Sequence, residues 1–98
     1  MSLFRTGETV CTGSINEMMR SDPCFASWVA SCLERHCTGD WGDISKDDRE
    51  MNNEAVRMMA EGRSMDSVMS SYTRDGTKIW IITECDNSVT TILRPEEY

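Results

Sequence analysis

From Asp66 onward the apolar residues of this chain repeat every second position. Val68 to Thr73, Thr77 to Glu84 and Ser88 to Leu93 are runs rich in β-branched and aromatic residues, each bounded by turn formers. Asp75-Gly76 separates the first two and is a strong two-residue hairpin signal, because both turn positions must accept positive φ. Cys85-Asp86-Asn87 can turn the second connection. Strands joined by links this short pair antiparallel, since a parallel pair needs a long crossover. The pattern therefore predicts a three-stranded antiparallel meander. On its middle strand Ile79, Ile81 and Thr83 point one way, and Trp80, Ile82 and Glu84 the other.

A meander with an apolar face needs a cover, and the preceding residues can supply it as helices. Phe4 to Thr12 reads as a short opening strand with Gly7 at a turn. Ser14 and Glu17 then have the spacing of a capping box. That first helix is brief, because Ser21-Asp22-Pro23 stops it and starts the next, with Asp22 as cap. The second helix runs from Pro23 to about His36, with Phe25, Trp28, Val29, Cys32 and Leu33 at helical spacing. Ser45 and Asp48 cap a third, from about Lys46 to Glu61, which Gly62 closes. Met51, Ala55, Met58 and Met59 form its predicted apolar stripe. The expected fold class is α+β, with two to three N-terminal helices packed on the meander and a short N-terminal strand. The 98 residues predict a single domain, 1–98. A chain this short buries about 60–65% of its unfolded surface, which leaves little room for a deep cavity.

A formal charge of −7 argues against direct nucleic-acid binding, which needs clustered Lys and Arg. The acids crowd one place: Asp40, Asp43, Asp47, Asp48 and Glu50, offset there only by Lys46 and Arg49. The five cysteines are odd in number and form no CxxC pair, so reduced thiols and a cytoplasmic location are expected. Cys32 and His36 lie one helical turn apart, but no second ligand pair accompanies them, and neither a metal nor a cofactor is predicted. No apolar run is long enough for a membrane span, and Met1 to Val10 lacks the apolar segment of a signal peptide.

His36-Cys37-Thr38-Gly39-Asp40-Trp41-Gly42 concentrates special-purpose side chains in one loop. On chemistry alone His36 is either a C-terminal helix cap or a general base or hydrogen-bonding donor. Asp40 either orients that imidazole or satisfies loop amides. Trp41 anchors the loop on the core or offers a platform to a partner. Asp48 and Asn52 share one helix face. Thr83, Glu84, Asp86, Ser88, Thr90 and Thr91 make the end of the meander polar. The loop is expected to pack against the strand face carrying Trp80, joining both blocks in one surface.

Those same blocks carry a resemblance. His36-x-x-Gly39-Asp40-Trp41-Gly42 with Asp48 and Asn52, and Trp80-Ile81-Ile82-Thr83-Glu84-x-Asp86-x-Ser88-x-Thr90-Thr91 ending in Pro95-Glu96-Glu97-Tyr98, resemble a family of small bacterial, phage and plasmid proteins. Phe4-x-x-Gly7-x-x-Val10 fits as well. Members carry labels such as plasmid-related protein or restriction-enzyme subunit, with no activity attached. They tend to have Arg where this chain has Asn87 and an apolar residue at Arg94, and their link corresponding to Arg63–Ser67 is shorter.

The resemblance, small size, acidic charge and lack of a catalytic motif together imply a non-enzymatic interaction protein of mobile-element origin. It would bind and modulate a protein partner of unknown identity; an inhibitor of host defence, restriction or CRISPR, is the concrete form. The binding surface would comprise His36, Asp40, Trp41, Asp48, Asn52, Trp80, Glu84 and Asp86. The alternative is a small enzyme, a hydrolase of nucleotide-like substrates, using His36 with Asp40 or Asp48. That reading requires His36, Asp48 and Glu84 to converge around a cavity. Neither reading involves a membrane, and both leave a homodimer open.

Overall fold

The computed structural model describes residues 2–63 and 65–98. In chain order the elements are β1 (Glu8–Cys11), α1 (Gly13–Ser21), α2 (Pro23–Cys37), α3 (Lys46–Ala60), β2 (Val68–Arg74), β3 (Thr77–Thr83) and β4 (Val89–Leu93), then a short 3-10 helix at Pro95–Glu97. The fold is α+β. The β2–β3–β4 meander is present in antiparallel register, with Ser70 opposite Ile81 and Ile81 opposite Ile92. The sheet nevertheless has four strands in the order β1-β4-β3-β2, because β1 adds in parallel to β4. This corrects the purely antiparallel, three-stranded expectation. A period-two pattern marks a strand but not its direction, and here the three helices supply the long crossover that a parallel pair requires.

The hairpin forms as predicted, with φ of 50° at Asp75 and 81° at Gly76. Register places Val68, Ser70, Tyr72, Ile79, Ile81, Thr83, Thr90 and Ile92 on one face. Ile15 of α1 and Phe25, Val29 and Cys32 of α2 pack there against Tyr72, Ile79, Ile81 and Ile92. Ala55 of α3 joins Phe4, Trp41 and Val68 in a second cluster. On the opposite face the half-buried Trp80 meets the ring of Tyr98 edge-on at 5.8 Å.

Two helix caps follow expectation. Asp22 accepts from the N–H groups of Cys24 and Phe25, and Ser45 accepts from Asp48 N–H. The first helix differs, because Ser14 and Glu17 form no capping box. Thr12 and Ser14 instead donate to the Glu97 carboxylate, at 2.9 and 2.8 Å, and Arg94 N–H donates to it at 2.8 Å. A carboxylate from the far end of the chain thus sits at the start of α1, where the helix dipole favours negative charge. Helix α3 corrects a further expectation. Its inward positions are Asn52, Ala55, Val56 and Met59, so the stripe is turned by one residue and Met51 faces solvent. No helix among the described residues is long and apolar enough to cross a membrane.

Candidate functional site

The imidazole of His36 is completely buried. It extends the core stripe of α2, one turn beyond Cys32, and so points at the sheet rather than at the helix's last carbonyls. Those carbonyls are taken by Thr38, whose N–H and Oγ1 both reach Glu34 and Arg35. Phe4 and Trp41 pack on the ring edge-on, with centroids 5.4 and 5.6 Å away, and stack on each other.

Both ring nitrogens are occupied by strand hydroxyls. Nδ1 lies 2.5 Å from Ser70 Oγ and Nε2 lies 2.9 Å from Thr83 Oγ1. Thr83 Oγ1 is 2.7 Å from Thr90 Oγ1, and Thr90 donates to the carbonyl of Thr6 at 2.7 Å. That last bond fixes the direction of the rest. A hydroxyl has one proton, so Thr90 must accept from Thr83, and Thr83 must in turn accept from His36. The imidazole therefore carries its proton on Nε2, and Nδ1 accepts from Ser70. Burial pushes the pKa of His36 down to about 4, which keeps the ring neutral around pH 7.

The other loop residues have separate duties. Asp40 makes two bonds to Arg35, at 2.8 and 3.1 Å, and that guanidinium holds its carboxyl below the usual range. It does not orient His36. Arg35 also lies over the ring of Tyr72, 4.7 Å from its centroid, while the Tyr72 hydroxyl donates to the Asp40 carbonyl. Both members of the Arg35–Asp40 pair are about half exposed, so the ion pair contributes less than about 1 kcal/mol; its effect is to position the loop. Trp41 is buried and donates from Nε1 to Asn53 Oδ1 at 3.0 Å, which makes it the anchor rather than a platform. Next to it, Gly42 runs parallel to β2 at Ser71, with Ser71 N–H on Trp41 and Asp43 N–H on Ser71. The loop therefore covers the β2 edge.

Asn52 is buried, so it does not belong to the exposed binding surface expected to include it. Its amide donates to Met69 O at 2.7 Å and accepts from Met69 N–H at 3.3 Å, replacing a missing neighbouring strand. Asp48, Glu84 and Asp86 are exposed. Asp86 accepts from Ser88 N–H in the β3–β4 turn, where Asn87 adopts a φ of 59°. Asn87 Nδ2 also holds the Arg5 carbonyl at 2.7 Å, a contact suited to a short amide at a left-handed position.

The predicted surface is thus divided. Thr83 ties His36 to the end of β3, next to Glu84 in sequence, but on the face opposite Trp80. The expected packing of the loop against the Trp80 face is not what the chain adopts. Trp41 and Asn52 are structural, and Asp40, Asp48, Glu84 and Asp86 lie outside. Both nitrogens of His36 are engaged with hydroxyls, and no group of three His, Cys, Asp or Glu among the described residues is arranged to hold a metal. Ser70, Thr83 and Thr90, which complete the buried network, were not singled out as partners of His36. Their signal is in the sequence: hydroxyls at core-facing strand positions, and one histidine on a helix stripe. Comparison with protein-family models, curated proteins and solved structures gave no match.

Proposed function

We propose that this chain is a non-enzymatic interaction protein that binds and modulates another protein, and that its target is a host-defence enzyme of the restriction or CRISPR type. The observation that carries this reading is the fate of His36, the chain's single histidine. Its ring is buried, and both nitrogens are engaged with hydroxyls. An acid–base catalyst must reach substrate within hydrogen-bond distance, and none of Asp40, Asp48 or Glu84 bonds to this imidazole. The hydrolase alternative needed that convergence. Exposed charge supports binding instead, since acidic side chains gather on the outer part of α3. The resemblance of the two sequence blocks to phage and plasmid proteins supports a mobile-element origin.

The test is capture of a partner by the tagged protein from host extract, followed by assay of the purified partner. Stoichiometric inhibition or activation of that partner, retained in His36→Gln, is the expected result. Turnover of a nucleotide or nucleic-acid substrate by the purified chain, lost in His36→Gln, would overturn the proposal.

A further inference from the structure

Helix α3 divides its charge unevenly. In its C-terminal half Glu54 and Glu61 both pair with Arg57, and Arg63 adds a second cation to Glu61. In its N-terminal half no ion pair reaches Asp47, Asp48 or Glu50 among the described residues. Carboxylates in a first turn favour the helix dipole, which explains Asp47 and Asp48 but not Glu50 or what stands beside it. Asp47, Glu50, Met51 and Glu54 fall at the spacing of a single outward stripe. Arg49 and Asn53 lie around the helix from it, Asn53 is engaged by Trp41, and Lys46 stands one turn before Glu50 as a cation beside the stripe.

Met51 is 62% exposed in the middle of that stripe, and Met65 is 86% exposed on the segment leading to β2. Two depressions flank Met51. One, of about 370 Å³, is lined by Asp47, Glu50, Met51, Glu54 and Asp66. The other, of about 170 Å³, lies between Asp48, Met51 and Asn52 on α3 and Asp66, Ser67 and Met69 opposite. They share Met51 and Asp66, and so form one groove between α3 and the approach to β2. The fold does not require an exposed thioether here, because the inward positions of α3 are filled by Asn52, Ala55, Val56 and Met59. A flexible, polarisable methionine ringed by carboxylates suits an apolar side chain delivered by a positively charged segment.

We infer that the groove between α3 and the 66–69 segment is the docking site of a basic amphipathic segment of a partner protein. One apolar side chain of that segment lies against Met51, and its Lys or Arg residues face Asp47 and Glu50. Charge complementarity selects this occupant. A nucleic acid or an acidic segment would meet like charge, and a second copy of this chain would bring the same acidic stripe. The inference rests on the interaction reading above and adds the place and the chemistry of the partner.

The probe is a synthetic helical peptide of leucine and lysine, compared with a serine–lysine peptide of equal charge and a leucine–glutamate peptide. Binding is followed through the methionine methyl NMR signals of the full chain. The leucine–lysine peptide is expected to shift Met51 and Met65 and to bind about tenfold more tightly than the serine–lysine peptide. Met51→Gln should remove that preference. Asp47→Asn with Glu50→Gln should weaken binding about tenfold at low salt and flatten its salt dependence. Unchanged amide spectra away from the groove would show that both variants remain folded. Equal binding of both lysine peptides with no effect of Met51→Gln would overturn the inference, and so would concentration-dependent dimerisation abolished by Met51→Gln. If a partner captured from host extract bound Met51→Gln as well as wild type, the groove would fall while the interaction reading stood.

Discussion

A neutral imidazole sealed in the core makes stability depend on pH in a definite direction. The free side chain titrates near 6.5, whereas burial pushes His36 down to about 4. Between those values the unfolded chain binds a proton that the folded chain refuses. Stability should therefore fall as pH drops through that window, by up to about 3 kcal/mol, and the histidine contribution should level off below pH 4 and above 6.5. Urea titrations at half-unit pH steps check this. His36→Gln should lose that component of the slope, leaving only the carboxylate contribution at the acid end. The hydroxyl chain makes a companion prediction. Thr83→Val keeps shape but leaves Nε2–H without an acceptor in the core, which should cost about 1–3 kcal/mol, whereas Thr83→Ser should be close to neutral. A proton on Nδ1 in the nitrogen NMR spectrum would contradict the directed chain from His36 to Thr6.

Among the elements, the glycines separate two kinds of backbone demand. Gly42 has a φ of 75°, and a Cβ placed there would come within 2.0 Å of the Ser71 carbonyl oxygen. Gly62 has a φ of 72° with open space around it. Gly62→Ala should cost about 1 kcal/mol from its conformation alone. Gly42→Ala must also push the loop off the β2 edge, so its loss should be clearly larger; matched urea midpoints for the two variants would contradict this. Gly62 and Gly76 were legible as positive-φ sites because each ends a periodic run. Gly42 belonged to a motif whose structural purpose no local pattern reveals. The same limit explains α3. Its boundaries followed from Ser45 and Gly62, but its three methionines and two alanines fit two adjacent helical stripes. The choice between them was made by the unpaired edge of β2, which draws Asn52 inward to Met69. Strand β1 was visible as a strand, yet its parallel partner depends on where the three helices return the chain. For the site, the spacing of His36 after Cys32 already placed it on the core stripe; its proximity to Asp40 in sequence suggested a pairing that Arg35 pre-empts.

Across the whole molecule, the two chain ends close the structure over its polar interior. Leu3 N–H bonds to Cys37 O, Asn87 and Thr90 hold the carbonyls of Arg5 and Thr6, and Glu97 ties the last turn to the start of α1. Phe4 is the buried apolar member of this N-terminal strap. It is 9% exposed, meets His36 edge-on and stacks on Trp41, so it shields the imidazole from solvent on that side. Phe4→Ala removes that shield together with a large buried ring, which should cost about 3 kcal/mol. The loss of stability alone does not distinguish a shield from ordinary core packing, but the titration of His36 does. Because the chain has one histidine, its imidazole Cε1–H signal is a single resonance that can be followed from pH 3.5 to 8 in the folded variant. Water admitted beside the ring lowers the desolvation penalty that depresses its pKa. The midpoint should therefore move up from about 4 toward 6.5, and the pH dependence of stability across that window should shrink with it. A variant that is destabilised but keeps the wild-type midpoint would show that Trp41 and the sheet alone exclude water from His36, and that the strap contributes packing only.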